Sequence, residues 1–170
     1  MRTFRSQLWC PNDQTSINTI ESIQKNFLSK IYGMENLSHW ERLQKLGLYS
    51  QERRRERYLV IFIWKISQGL VGGYNIDFTH SDRRGWLAVP KPHITTAPAV
   101  IKRAREASLG VKGCRIFNLL PPALRNMQSC TIDQFKFALD SFLSKVPDQP
   151  TIQGEIRAAE TNSLVHQIHM

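Results

Sequence analysis

The sequence predicts a mainly α fold: a small helical bundle with a long irregular or short-β insertion and a disordered C-terminal tail. Segments with the 3.6-residue apolar period of a buried helix recur along the chain. Serine or threonine residues able to cap a helix precede several of them, and a stretch rich in glycine and proline, 70–110, separates them. We therefore expect a helical domain at 1–146 and a flexible tail at 147–170, where periodicity is lost.

The longest helix is expected over 51–68, at the centre of the core. Ser50 is a suitable N-cap and Gly69 a suitable terminator. Residues 59–66 are apolar except for Lys65, and a helix that is apolar on all sides must be buried on all sides. The other end of this helix is predicted to project outward.

That outward end carries a cluster of arginines in its first turns. Because a helix N-terminus bears partial positive charge, each exposed arginine there is disfavoured by roughly 0.3–1 kcal/mol, so an anion is expected nearby. Two interpretations remain open. The anion is either Glu52 and Glu56 on a solvated helix face or a phosphate backbone. The cluster consists of Arg53, Arg54, Arg55 and Arg57.

Four shorter helices are predicted around the central one. Ser38 and Thr131 each stand three residues before a glutamate or glutamine, which is the spacing of a capping box. The apolar residues of the first helix, from Ile17 to Ile31, share one side and are expected to be buried together. The four helices are expected at about 15–32, 38–47, 111–120 and 131–146.

The insertion at 70–110 places basic and aromatic side chains side by side. Arg83, Arg84 and Lys91 lie near Phe78 and Trp86 in the sequence. Such a stretch can stack bases and hold phosphates. The alternative is a loop whose aromatic side chains fix it to the bundle, and this alternative is the favoured one.

Composition favours a polyanionic partner. The 170 residues suit one domain, and the net charge of +9 with a pI near 9.8 favours RNA, DNA or an anionic surface. The longest apolar run, Tyr58–Trp64, is too short to span a membrane, and no signal peptide is recognisable. Three widely spaced cysteines fit a reduced compartment. We expect an intracellular protein, nuclear or cytoplasmic, with no membrane contact.

The sequence contains no recognisable catalytic or metal-binding motif. It has no Gly-rich phosphate loop, GxSxG or HExxH pattern. Its aspartates, such as Asp77 and Asp82, are scattered and do not form the paired ligands of a two-metal site. We therefore predict no catalytic residue, no metal and no cofactor, and expect no enzyme activity from the chain on its own.

An ordered series of segments resembles the region that follows the polymerase core in non-LTR (LINE-type) retrotransposon reverse transcriptases. No single segment is specific, but order and spacing hold from about Ser6 to Pro150. Arg53 and Arg54, which lie between two of these segments, stand at the start of the apolar helix, as in the family pattern. The segments are LWCP at 8–11, IESIQ at 20–24, ERL at 41–43, RIFNLLP at 115–121, LRN at 124–126, LDSFL at 139–143 and PDQP at 147–150.

The resemblance implies the C-terminal thumb and connection region of such an RNA-directed DNA polymerase, as though a longer reading frame had been cut. The family's catalytic aspartates and endonuclease have no counterpart here, so neither reverse transcription nor DNA nicking is assigned to this chain. The implied role is non-specific grip of the template–primer backbone by the thumb helices. The residues proposed for it are Arg53, Arg54, Arg55, Arg57, Lys102, Arg103, Arg105, Lys112 and Arg115.

Two other functions remain open at this point. The chain is alternatively a helical protein-interaction module whose basic face meets an acidic partner protein, or a relic without a selected function. An unfolded purified chain would favour the relic.

Overall fold

The computed structural model describes residues 13–74, 76–90, 108–150 and 162–168, which are mainly helical with one two-stranded antiparallel sheet. The predicted mainly α class is therefore confirmed. A π-helical turn, Leu109–Gly113, leads into the fourth helix. The elements are α1 Gln14–Leu28, α2 His39–Lys45, α3 Gln51–Ser67, β1 Ile76–Ser81, β2 Gly85–Pro90, α4 Cys114–Leu119, α5 Pro122–Arg125, α6 Ile132–Leu143 and α7 Leu164–Gln167.

Helix α3 is the centre of the core, as predicted. Val60, Ile63 and Trp64 are fully buried, and the Trp64 ring stacks on Phe135 of α6 with centroids 4.5 Å apart. The indole Nε1 donates to the carbonyl oxygen of Met127 at 2.8 Å, so the polar atom of this ring is also satisfied. The apolar half of α3 thus holds the surrounding elements together.

The helix starts predicted from the capping residues Ser38, Ser50 and Thr131 are confirmed, whereas the α-helix predicted from about 111 begins at Cys114, after the π-helical turn. Ser50 Oγ accepts a hydrogen bond from the Arg53 backbone N–H at 3.1 Å, which caps α3. Ser38 and Thr131 each form a complete capping box, in which the hydroxyl and the side chain three residues later satisfy each other's backbone N–H groups. Local rules therefore placed these boundaries correctly.

Helix α1 differs from its prediction in length and burial. It ends at Leu28, not near residue 32. Leu28 is 2% exposed, but Ile23 and Phe27 are 67% and 70% exposed. The apolar stripe of α1 is wider than the face that neighbouring elements cover. Part of the stripe that was expected to be buried therefore remains on the surface.

The insertion contains a β-hairpin, so the short-β form of the prediction holds for 76–90. The strands pair in antiparallel register from Ile76 opposite Pro90 to Ser81 opposite Gly85. Ala88 is buried, and Phe78 meets the ring of Phe117 edge to face at 6.5 Å. The hairpin thereby packs onto α4. The backbone just before α4 also lies close to α3, since a Cβ added to Gly113 would lie 3.0 Å from Ile63 Cγ1.

The C-terminal segment at 162–168 corrects the prediction of a flexible tail. Helix α7 packs against α4, and Leu164 is fully buried in the core. The missing periodicity misled the prediction because four helical residues are too few to show a 3.6-residue period.

Candidate nucleic-acid interface

Arg53, the first residue of the predicted cluster, is fully buried. Its guanidinium donates to three backbone carbonyl oxygens: Pro147 at 2.7 Å, and Val146 and Asn162 at 3.3 Å each. The expectation that the arginine end of α3 projects into solvent is therefore wrong for this side chain. Arg53 links α3 to two distant segments of the chain and is not accessible to a phosphate.

Arg55 and Arg57 are also turned toward the protein. Arg55 is 9% exposed. Arg57 forms a bidentate pair with Asp140 of α6, with Nε–Oδ1 at 2.5 Å and Nη2–Oδ2 at 2.6 Å, and this bonding raises the pKa of the guanidinium. Tyr49 also donates to Asp140, at 3.3 Å, and its pKa is raised by burial first and by that carboxylate second. These contacts join α3 to α6.

The anion expected at the N-terminus of α3 is supplied by the protein itself. Asp148 accepts from the Ser50 backbone N–H and from its hydroxyl, both at 2.8 Å. Glu21 of α1 accepts from the Gln51 backbone N–H at 2.8 Å. Two carboxylates therefore complement the helix dipole at the position where a phosphate was an open alternative. Neither was recognised from the sequence, although Glu21 lies in IESIQ and Asp148 in PDQP.

Glu56 joins α3 to the C-terminal helix. This fully buried carboxylate accepts from the Ser163 hydroxyl and from the Leu164 backbone N–H, the latter at 2.7 Å. It therefore binds the free donors at the N-terminus of α7. Lys112, another predicted site residue, lies 3.7 Å from the same carboxylate. Lys112 is thus paired internally and only partly exposed.

Only part of the predicted set is open to a ligand. Arg54 and Arg115 are exposed and form no ion pair within the described ranges. Lys102, Arg103 and Arg105 lie outside the described residues. Among the described members of the set, the structure therefore separates buried arginines such as Arg53 from the exposed Arg54 and Arg115.

Sequence analysis missed a group of side chains that hold the hairpin. The Asn118 amide bonds both the N–H and the carbonyl of Ala88, at 2.8 and 2.9 Å. Asn126 Oδ1 accepts from the Trp86 N–H at 3.0 Å, and Arg125 Nη1 donates to the Trp86 carbonyl at 2.6 Å. Burial lowers the pKa of Arg125. The RIFNLLP and LRN segments carried the signal, because they contain these three side chains.

The described part of the chain contains no group of three or more His, Cys, Asp or Glu side chains able to hold a metal ion. His39 is buried and bonded to Glu21 at 2.7 Å. Within the same ranges, every helix is too short or too polar to cross a bilayer.

Comparisons of the chain with protein-family models, with curated proteins and with solved structures find no match.

Proposed function

We propose that this chain is the thumb and connection piece of a reverse transcriptase of the non-LTR type, and that it binds nucleic-acid backbone without sequence preference. In this proposal the helices around α3 form a small thumb-like bundle that grips a template–primer. Chemistry is left to a polymerase core that these residues do not contain. The ordered resemblance from Ser6 to Pro150 supports the family, and its segments supply the polar contacts that join α1, α3, α6 and the hairpin.

The observation that carries the binding proposal is a group of exposed cations that form no ion pair with a described residue. Among the described residues, carboxylates such as Glu21, Glu56, Asp140 and Asp148 are held in internal contacts. Eight cations are exposed and form no ion pair with a described residue, and six exposed carboxylates accompany them in the described part, so the exposed positions keep a small positive excess. These cations are Lys25, Lys30, Lys45, Arg54, Arg83, Arg84, Arg115 and Lys145.

The proposal narrows the set of residues expected to touch phosphate. Arg54 and Arg115 remain from the sequence-based set because their guanidinium groups are exposed. Arg53 and Arg57 support the fold, and their loss is expected to weaken binding only by destabilising the domain.

Salt dependence tests this function. The affinity for a labelled RNA–DNA hybrid, followed by fluorescence anisotropy, should fall linearly with salt on a log–log scale. The double variant Arg54→Gln/Arg115→Gln should reduce the slope by ~1.4–1.8, since each lost phosphate contact removes about 0.7–0.9.

The matched control is Lys45→Gln/Lys145→Gln, which removes the same charge from two exposed positions outside the sequence-based set. These lysines contribute to the basic surface but are not expected to touch phosphate, so the slope should fall less. Absent binding, or affinity that does not respond to salt, would contradict the proposal. Circular dichroism confirms that each variant is folded.

A second candidate function, binding of an acidic protein, is favoured by the uncovered face of α1. Ile23, Phe27 and Leu48 border a groove of about 500 Å³; among the described residues that line it, Arg54 is the one cation and none is acidic. An amphipathic helix with an apolar face and an acidic rim fits this chemistry.

A synthetic helix with leucines on one face and glutamates beside them tests that candidate. Phe27→Glu should abolish binding of the peptide, because it places a carboxylate inside the groove. Phe137→Glu is the matched control, since Phe137 on α6 is 76% exposed and lies away from the groove. Equal effects of the two variants would contradict a site on α1.

A further inference from the structure

The turn of the β-hairpin presents two arginines to solvent. Arg83 and Arg84 lie in the three-residue connection between Ser81 and Gly85, and both side chains are exposed. Within the described ranges neither guanidinium takes part in an ion pair. They differ in this respect from Arg53 and Arg57 of α3, which donate to carbonyl and carboxylate oxygens of the protein itself.

The turn is held in place by contacts with Arg125 and Asn126. Gly85 has φ +67°, a conformation that favours glycine, and a Cβ there would collide with the Asn126 side chain. The next residue, Trp86, has both backbone polar groups bonded, its N–H to Asn126 and its carbonyl to Arg125. The tip of the hairpin is therefore fixed to α5, so little conformational entropy is lost when it binds a ligand.

An aromatic pair lies directly beside the two arginines. His80 stands opposite Trp86 in the hairpin register, and their rings meet edge to face with centroids 5.2 Å apart. Nearer the base of the hairpin the same face is covered, since Ala88 is buried. At the tip the cover ends, so His80 is exposed and Trp86 is half-buried.

We propose that the hairpin tip binds single-stranded nucleic acid, with Arg83 and Arg84 on backbone phosphates and an unpaired base stacked on the Trp86–His80 pair. The site rests on the proposed nucleic-acid function and adds to it a preference for single strands. Arginine forks match phosphate oxygens, and an aromatic ring accepts the face of any base.

The aromatic pair distinguishes this ligand from a base-paired one. Bases in a duplex are already stacked on each other and present no free face to a side chain, whereas single strands can turn a base outward. An acidic protein would engage the two guanidinium groups but has no need of the indole. Trp86 is therefore the residue whose replacement separates the alternatives.

Binding of a labelled 12-nucleotide single-stranded RNA to the full chain, as a function of salt, tests the proposal. Arg83→Gln/Arg84→Gln should weaken binding and reduce the log–log salt slope by about 1.4, two contacts at about 0.7 each for single strands. Trp86→Leu should weaken binding roughly tenfold through lost stacking and leave the slope unchanged. The affinity of Trp86→Leu for a blunt duplex should equal that of the unmodified chain.

The matched control is Lys25→Gln/Lys30→Gln, which removes the same charge from exposed positions at the end of α1. If the unmodified chain binds with a steep salt slope but the hairpin double variant behaves like this control, the hairpin site is wrong and the wider function stands. If the arginine variant is weakened but Trp86→Leu binds normally, the stacking site is wrong and the tip is only a charged patch. If no nucleic acid binds, both proposals fail.

Discussion

The start of α3 and the tip of the β-hairpin both present consecutive arginines in the sequence, yet they have opposite environments. Arg53 is fully buried and donates to three backbone carbonyl oxygens. Arg83 and Arg84 are exposed at a turn. The difference teaches that an arginine run does not by itself indicate a binding surface. What decides is whether other segments of the chain bring acceptors to it.

The acceptors at α3 come from remote parts of the chain. Asp140 lies in α6, the carbonyls of 146–147 follow that helix, and Asn162 precedes α7. At the hairpin tip, the neighbouring segment uses its donors and acceptors on the backbone of Trp86 and leaves the two guanidinium groups untouched. The same residue type therefore connects elements in one region and remains available to ligands in the other.

The largest expected effect comes from removing the buried arginine. Arg53→Met should destabilise the domain by ~3–5 kcal/mol, because it leaves buried carbonyls without their donor and removes the cation that lies 3.9 Å from Asp148. The neighbouring exposed change, Arg54→Met, should stay within about 0.5 kcal/mol. Urea unfolding measures both. If Arg53→Met were as stable as the unmodified chain, the proposed contrast between the two regions would be lost.

The next test concerns the hairpin turn. Gly85→Ala should cost ~2–3 kcal/mol, the sum of a left-handed backbone that disfavours Cβ and a displaced Asn126 that loses its bond to Trp86. Gly73→Ala isolates the backbone part, since Gly73 also has positive φ but a Cβ there meets no atom of a described residue within 4 Å. That variant should cost only about 1–2 kcal/mol. If Gly85→Ala and Gly73→Ala lost equal free energy of unfolding in urea, displacing the Asn126 side chain would not destabilise the fold.

Helix α4 packs against both α3 and β2, and its Cys114 gives a test by pH. Burial raises the pKa of this thiol from 9.0 to about 11. Between those values the unfolded chain loses the proton and the folded chain keeps it, so stability present below pH 9 is lost as pH rises toward 11. We expect a loss of ~1–3 kcal/mol in unfolding experiments. Cys114→Ala should lose less stability over the same range. If the free energy of unfolding of this variant fell with pH as steeply as that of the unmodified chain, the loss could not be assigned to Cys114.

The structural features that could be predicted from the sequence are those whose interacting residues lie close together along the chain. The caps at Ser38, Ser50 and Thr131 were predictable because donor and acceptor lie within three residues. The burial of α3 followed from its uniform apolar half. The bond between Glu56 and Leu164 was not predictable, because these residues lie 108 positions apart and no periodic pattern links them.

The arginine cluster was misread for the same reason. The helix dipole correctly indicated that an anion must lie near Ser50, but it could not say whether that anion was internal. Asp148 supplies it from a segment predicted to be a loose tail. The hairpin pattern, in contrast, was interpreted mainly as a loop fixed by its aromatics. Phe78 fits that interpretation through its contact with Phe117, but the exposed tip does not.

The smallest expected effect on stability sharpens the comparison most. Arg83→Gln/Arg84→Gln should change the free energy of unfolding by less than about 0.5 kcal/mol, since exposed side chains that form no ion pair with a described residue add little to the fold. The same variant is expected to lose affinity for single-stranded RNA. A region that is dispensable for folding but needed for binding has the opposite profile to Arg53. A stability loss near that of Arg53→Met would instead make the hairpin arginines structural, and both regions would then follow one rule.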